Sequence, residues 1–424
     1  MRILVLSNLH PHSSHSVRAA NIVIFELVRA LASDTNIECG FVQVRLHDTT
    51  EATDLEAQGV AALAAAGVEI LPHVSLPPNE RVSAWRRYLV GGIREFYPQV
   101  RHSQRVWSAV QGFKPDLILI PWCEWLTALC ADMPVAKFAY YGNPDAKSAG
   151  ARLKFAREHG EVSLPSMLLQ AWDNRSLERA HLRQMMKYPI LGDVAANDAE
   201  YYTAHGHPNS FYARNIWIDR QPGDLWRSAR RAREKKNVII GNIGRLPGTA
   251  NTLGLELLGR DLLPLLRQRL AGQSYTVRIL GAGNLHPRIA PYFETPEIDM
   301  AGFVPDIDEA IIEAGVFLCV NNASHFKVGH TRYLHAWTLG ACVVAHRDAA
   351  LSMPEMRHNE NALLGESMPE IADLVKQALG DEALRRRIGE AGYDTFSKVF
   401  TAESVAQLFL ERIGDSLQPA RRPT

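Results

Sequence analysis

The stretch VFLCVNNASHFKVGHTRYLHAWTLGACVVAH (Val316–His346) reads as a strand, a polar loop, a helix and a second strand. Its two end runs, Val316–Val320 and Ala341–Ala345, are short and apolar throughout. A strand in a parallel sheet covered on both faces needs such a run. The loop between them places Lys327, Gly329 and the amides of His330 and Thr331 at a helix N-terminus. That terminus carries roughly half a positive charge, so a diphosphate is the expected guest. Thr331 adds a hydroxyl and Arg332 a cation to the first turn. A cation there opposes the helix dipole, and an anion in front of it would remove the conflict.

The same alternation extends in both directions. Upstream lie Asn237–Ile243, Tyr275–Leu280 and Ile298–Phe303, with helical patterns between them. The first half repeats the theme at Ile3–Ser7, Ile37–Val44, Val68–Leu71, Leu117–Ile120, Val135–Tyr140 and Ile190–Leu191. Val17, Ala20, Ile24, Leu27, Val28 and Leu31 form one helical stripe after the first run. Between about His205 and Lys236 the character changes, and the basic run RSARRAREKK (Arg227–Lys236) reads as a domain connection. The expected architecture is α/β, with two Rossmann-like doubly wound parallel-sheet domains facing a central cleft. Ligands in such sheets bind beyond the strand C-terminal ends.

Composition narrows the class. The chain has 424 residues, with 46 basic and 46 acidic side chains and 46% apolar content. A nucleic-acid binder would carry a basic excess, and a disordered acidic protein would lack the apolar share. Five cysteines without a CxxC pair argue against a disulfide framework, and Cys319 and Cys342 sit in apolar runs. The opening MRILVLSNLH is too short an apolar run for a signal peptide, and no run approaches the roughly 18 residues of a membrane span. A cytoplasmic protein is expected.

Other loops carry candidate chemistry. Gly281-Ala282-Gly283 follows a strand but does not complete GxGxxG, since His286 takes the third glycine position. Gly244-Arg245 ends another strand, and an arginine there suits a diphosphate because its planar fork is always charged. In the first half, His10, His12 and His15 crowd one loop with no neighbouring carboxylate or cysteine, so hydrogen bonding is expected rather than a metal. If a group transfer here inverts, His15 is the candidate base for the accepting hydroxyl, oriented by Glu124 or Asp145. Glu124 lies between Trp122 and Trp125, whose rings suit sugar faces. Between Arg81 and Trp107 six arginines face one acid, Glu95, with Trp85, Tyr88, Phe96, Tyr97 and Trp107 interleaved. Such a mix suits an anionic membrane surface.

Taken in order, GNIGRL (241–246), RILGAGN (278–284), AGFVPDIDEAIIEAGVFLCV (301–320), TRYLHAWTLGACVVAH (331–346), MPEMRHNENALL (353–364) and LGDEALRRRIGEAGYDTF (379–396) form a series. This series resembles the C-terminal domain of GT-B fold glycosyltransferases, in particular the family-4-like group (glycosyl transferases group 1). The resemblance implies an acceptor-binding domain over 1–208 and a nucleotide-sugar-binding domain over 209–398. It also implies a helix within 399–424 that crosses back to the first domain, before a tail expected to fray after Gly414. It implies a hexosyltransferase moving sugar from a nucleotide diphosphate sugar to a glycan, lipid-linked or small-molecule hydroxyl, with retention and without a metal or other cofactor. Donor contacts would come from Gly244, Arg245, Gly281, Gly283, Lys327, Gly329, His330, Thr331, Arg332 and His335. Lys327 and His335 stand where the group commonly has the two glutamates of E-x7-E, leaving Lys327 to supply phosphate charge and His335 a ribose hydrogen bond. An epimerase or phosphorylase on the same fold, or a silent nucleotide- or glycan-binding protein, is the alternative.

Overall fold

The computed structural model describes residues 1–12, 19–46, 54–77, 82, 86–87, 90, 92–219, 221–222 and 225–417. The chain divides into two compact units, Met1–Ile216 together with the chain from Ala402 onward, and Trp217–Thr401.

The first unit is built on β1 (Arg2–Ser7), β2 (Glu38–Leu46), β3 (Glu69–Ile70), β4 (Val74–Leu76), β5 (Leu117–Pro121), β6 (Ala136–Tyr141), β7 (Ile190–Asp193) and β8 (Ser210–Tyr212). Their order is β3-β2-β1-β5-β6-β7-β8, with β4 also paired to β2, and every pairing is parallel. Ile3, Leu4, Val5 and Leu6 of β1 are all fully buried, as a strand covered on both faces requires. Residues 210–212 pair with β7, so the first unit runs beyond the expected limit at 208.

The helix Ala402–Leu417 lies in the core of this first unit. Val405, Phe409 and Ile413 recur every four residues and are buried. The Phe409 ring stands 4.7 Å from Phe138 and 5.0 Å from Tyr140, centroid to centroid. Burying such a ring is worth about 1.5–3 kcal/mol. The helix continues past Gly414 to Leu417, further than the expected fraying point.

The second unit holds β9 (Lys235–Asn242), β10 (Thr276–Leu280), β11 (Ile298–Gly302), β12 (Ala314–Cys319), β13 (Val343–His346) and β14 (Leu363–Gly365), in the parallel order β11-β10-β9-β12-β13-β14. The basic run expected to connect domains instead forms a helix of this unit, Leu225–Arg233, that leads into β9. Trp226 and Arg230, four residues apart, face inward. Arg230 is buried because its guanidinium donates to the carbonyls of Ile311 (3.1 Å) and Ala314 (2.7 Å) and pairs with Glu234.

Each sheet reverses winding direction once, between β1 and β5 in the first and between β9 and β12 in the second. In an open α/β sheet the crevice for a ligand opens at that switch point, past the strand C-terminal ends. The topology therefore directs attention to the residues after β1 and β5, and after β9 and β12.

No helix among the described residues is long and apolar enough to cross a membrane. All five cysteines are free and buried.

Candidate functional site

In the second unit, two glycine turns meet just past β9 and β10. Gly244 (φ 97°), Gly281 (φ 150°) and Gly283 (φ 94°) take backbone conformations that side chains oppose. A Cβ on Gly281 would overlap the Gly244 carbonyl oxygen, and one on Gly283 would press on Pro247. The Leu246 amide donates to the Ala282 carbonyl (3.0 Å), and the Gly281 amide donates to Gly302 (2.7 Å). These contacts fix three loops as one surface and leave Arg245 exposed on it. Phe303, next to Gly302, is 67% exposed.

Arg332 joins this surface from the helix Thr331–Thr338, whose N-cap residue is His330. Its guanidinium donates to the side-chain oxygens of Asn251 and, at 3.4 Å, of Asn242. Asn251 in turn donates to the Arg245 carbonyl at 2.7 Å. One asparagine thus links the Arg332 guanidinium to the backbone of Arg245 across the switch point. Asn321, just beyond β12, donates to the Ala250 carbonyl at 2.8 Å and so holds the first turn of the helix Thr249–Leu257, which carries Asn251. Two arginines, a helix N-terminus and close-packed glycine backbone together make a receptor for a doubly charged anion.

The loop from Asn322 to Thr331 is pinned from within. Asn322 donates to the Val328 carbonyl (3.1 Å) and accepts the Val328 amide (3.3 Å). Gly329 is half-buried, Thr331 opens the helix, and His330 is buried edge-on to Tyr333.

The two positions expected to replace the glutamate pair are a correction. The Lys327 ammonium is taken by Asp348 and by the Asn322 carbonyl (2.8 Å), so its charge is spent locally. His335 is 4% exposed, with Nε2 2.5 Å from Asp308 and its ring 5.1 Å from Trp217. It is an internal brace of the second unit, not a surface group set out for a ribose.

In the first unit, the loop after β1 is held by residues that the sequence did not connect to it. His10 Nδ1 is 2.9 Å from Glu56 and 2.5 Å from Gln43 Nε2, and Asn21 donates to the His10 carbonyl (2.6 Å). Glu56 also pairs with Arg45. Burial, then the Arg45 charge, lowers the His10 pKa, and burial lowers that of His12. His15, Ser13, Ser14 and Ser16 lie outside the described residues, as do Arg81, Trp85 and Tyr88.

Glu124 begins the helix Glu124–Cys130 and is 6% exposed. Its Oε2 accepts the amide of Asp145 (2.6 Å), the first residue of the helix Asp145–Glu158, and its Oε1 lies 2.8 Å from His181 Nδ1. Among the described residues, the histidine beside Glu124 is His181, from the helix Leu164–Met185. Burial works to raise the Glu124 pKa, but His181, the Asp145 amide and the Tyr97 hydroxyl outweigh it and hold the carboxyl below its usual range. As an anion anchored on three partners, Glu124 caps a helix instead of meeting an acceptor.

Asp145 differs. The residue is exposed while its Oδ2 accepts the Tyr97 hydroxyl at 2.8 Å. Burial of the carboxyl, then the charge of Glu124, raises its pKa. Among the described residues, no three His, Cys, Asp or Glu side chains gather as metal ligands would.

Asn242, Asn251, Asn321 and Phe303 were not foreseen. Their only sequence signal is position, since each ends a strand, lies one or two residues beyond one, or falls within the first turn of a helix.

Comparison with known proteins places this geometry. Residues 260–411 match the family described as glycosyl transferase-like. A 141-residue stretch is 28% identical to the lipopolysaccharide core biosynthesis glycosyltransferase LpsE of Rhizobium meliloti (strain 1021). That stretch covers 31% of this chain and 40% of the relative's length. Among solved structures, sucrose-phosphate synthase from Thermosynechococcus elongatus superposes with a TM-score of 0.64 at 12% identity, over 98% of this chain and all of that one. HepE of Anabaena, solved in complex with UDP, superposes with a TM-score of 0.62 at 13% identity and the same coverage. The two parallel α/β units thus share the fold of these solved structures, and the second unit carries most of a segment, 260–411, that matches a glycosyl transferase-like family.

Proposed function

We propose that this protein is a glycosyltransferase of the hexosyl type. It moves a sugar from a nucleotide diphosphate sugar to an acceptor hydroxyl, with retention and without a metal or other cofactor. The observation that carries the reading is the joining of Arg245 and Arg332 through Asn251 beside the two glycine turns. The diphosphate lies against these groups and the amides at Thr331, and Phe303 offers its ring to the base. As the sugar bond breaks, negative charge grows on the departing diphosphate, and the two arginines offset it.

The acceptor is a glycan, a lipid-linked sugar or a small molecule. Its hydroxyl is assigned to the first unit, with Asp145 as the hydrogen-bonding group that still reaches solvent. The resemblance to LpsE, a protein of lipopolysaccharide core synthesis, supports a glycoconjugate.

Arg245→Ala is expected to weaken UDP binding about 10- to 100-fold, equal to the roughly 1.5–3 kcal/mol of a charged hydrogen bond. Calorimetry with UDP measures it, and unchanged affinity removes Arg245 from the site. The anomeric proton of the product, read by NMR, tests retention.

A silent binding protein is the second reading, favoured by the closing of Lys327 on Asp348 and of His335 on Asp308. It predicts UDP heat without turnover on any acceptor or on water.

Peripheral membrane contact belongs to the same proposal. Leu164 (72% exposed), Leu168 (65%), Leu169 and Trp172 stand out from the helix Leu164–Met185. The Arg87–Asp173 pair (3.3 Å) ties that helix to the arginine-rich segment 81–107. Within that segment Tyr97 is buried and Arg86 is paired with Glu95, so the apolar share of the contact comes from the neighbouring helix. Co-sedimentation with phosphatidylglycerol vesicles is expected, and Leu168→Ser/Trp172→Ser should abolish it. Equal sedimentation of that variant would remove this surface.

A further inference from the structure

At the opposite ends of the second sheet from the glycine turns there is a cavity that the proposed reaction does not use. It opens where β9 begins at Lys235, beside the helix Leu225–Arg233, Gly340 just ahead of β13, and the start of the helix Glu382–Val399. Six cationic side chains line it against three carboxylates.

The charges do not balance in place. At the floor, Arg230 (6% exposed) and Arg385 (5%) share one carboxylate, Glu234, at 2.9 and 2.7 Å. Two buried guanidiniums therefore face a single anion. Backbone carbonyls absorb part of the excess, those of Ile311 and Ala314 for Arg230 and those of Ala378 and Leu379 for Arg385. A carbonyl dipole solvates a cation but does not neutralise it, and an uncompensated buried charge is costly. Burial lowers the Arg230 pKa despite Glu234, and the Arg385 charge adds to that fall.

The rim repeats the imbalance. Glu382 is matched to Arg386 at 2.6 Å, and Glu390 faces Arg227 at 3.9 Å. Arg227 also lies over the Trp226 ring, 4.7 Å from its centroid, which holds the guanidinium against the cavity wall. Among the described residues, Arg231 and Lys236 of the rim have no acidic partner, so every carboxylate lining the cavity is already engaged.

We infer that this cavity is a second anion site that binds a compact molecule bearing two or more phosphate groups, with Arg231 and Lys236 as its principal contacts and the Arg230–Arg385 pair as its floor. A single monovalent anion would leave most of the excess charge unmet. A long polyanion such as a nucleic acid needs a basic track beyond one concavity, and the chain as a whole is neutral. The site is independent of the donor reading, since no residue is shared between them.

Inorganic tripolyphosphate is the probe, followed by calorimetry. The donor site also attracts phosphates, so the parent is Arg245→Ala/Arg332→Ala. That parent is expected to bind one equivalent, and adding Arg231→Glu/Lys236→Glu should weaken binding at least about tenfold. Adding Arg231→Gln/Lys236→Gln, which removes charge without reversing it, should give a smaller loss in the same direction. An unchanged thermal midpoint shows that either variant still folds. No binding to the parent, or binding untouched by both double substitutions, overturns the proposal. Sulfate binding as tightly as tripolyphosphate overturns the assigned ligand class.

Discussion

Gly281→Ala is expected to eliminate measurable UDP binding and to destabilise the second unit by about 3 kcal/mol. Two costs add. The backbone at φ 150° is one that alanine adopts only with strain, of order 1–3 kcal/mol. The new methyl would also occupy the place of the Gly244 carbonyl oxygen, so the turns must separate. Separation breaks the Leu246–Ala282 and Gly281–Gly302 hydrogen bonds and moves the base of Arg245. Urea unfolding followed by tryptophan fluorescence measures the stability, and calorimetry the binding. A variant as stable as the parent that still binds UDP would show that the two loops are free to part, and the site would lose its rigid frame.

Arg332→Ala should do the reverse, lowering UDP affinity about 10- to 100-fold while leaving the ligand-free protein nearly as stable as before. The affinity loss follows from a charged hydrogen bond to a phosphate oxygen, roughly 1.5–3 kcal/mol. Stability is spared because the cation stands in the first turn of its helix, where the dipole repels it by about 0.3–1 kcal/mol. Removing it relieves that repulsion and offsets the lost contacts to Asn242 and Asn251. A large fall in stability with unchanged UDP affinity would make Arg332 a structural strut. The pair of variants separates shape from charge: one loses the frame, the other only the attraction.

What the sequence disclosed follows the range of the interactions. Gly244-Arg245, Gly281 and Gly283 were legible because a strand, a turn and a glycine are neighbours in the chain. Arg332 was legible because a cation in a first turn is a local conflict. Asn242 and Asn251 were not, since they lie 90 and 81 residues from the arginine that they orient. The same limit hid His181 behind Glu124, and Asp348 behind Lys327. Each pairing closes only when separate elements pack, and no periodicity announces it. The basic run at 227–236 misled for another reason. Charge on a helix normally marks a solvated face, yet Arg230 is buried because carbonyls and Glu234 meet its donors. The expected strand runs were found close to their predicted places, because β-branched runs covered on both faces leave little freedom.

The placement of the helix Ala402–Leu417 has a consequence for synthesis on the ribosome. The core of the first unit includes Val405, Phe409 and Ile413, so its folding depends on residues that are translated after the whole of the second unit. The complete second unit emerges before that helix does. The unit that starts to emerge before the other is thus completed after it, and until then the faces of Phe138 and Tyr140 that meet Phe409 lack that ring.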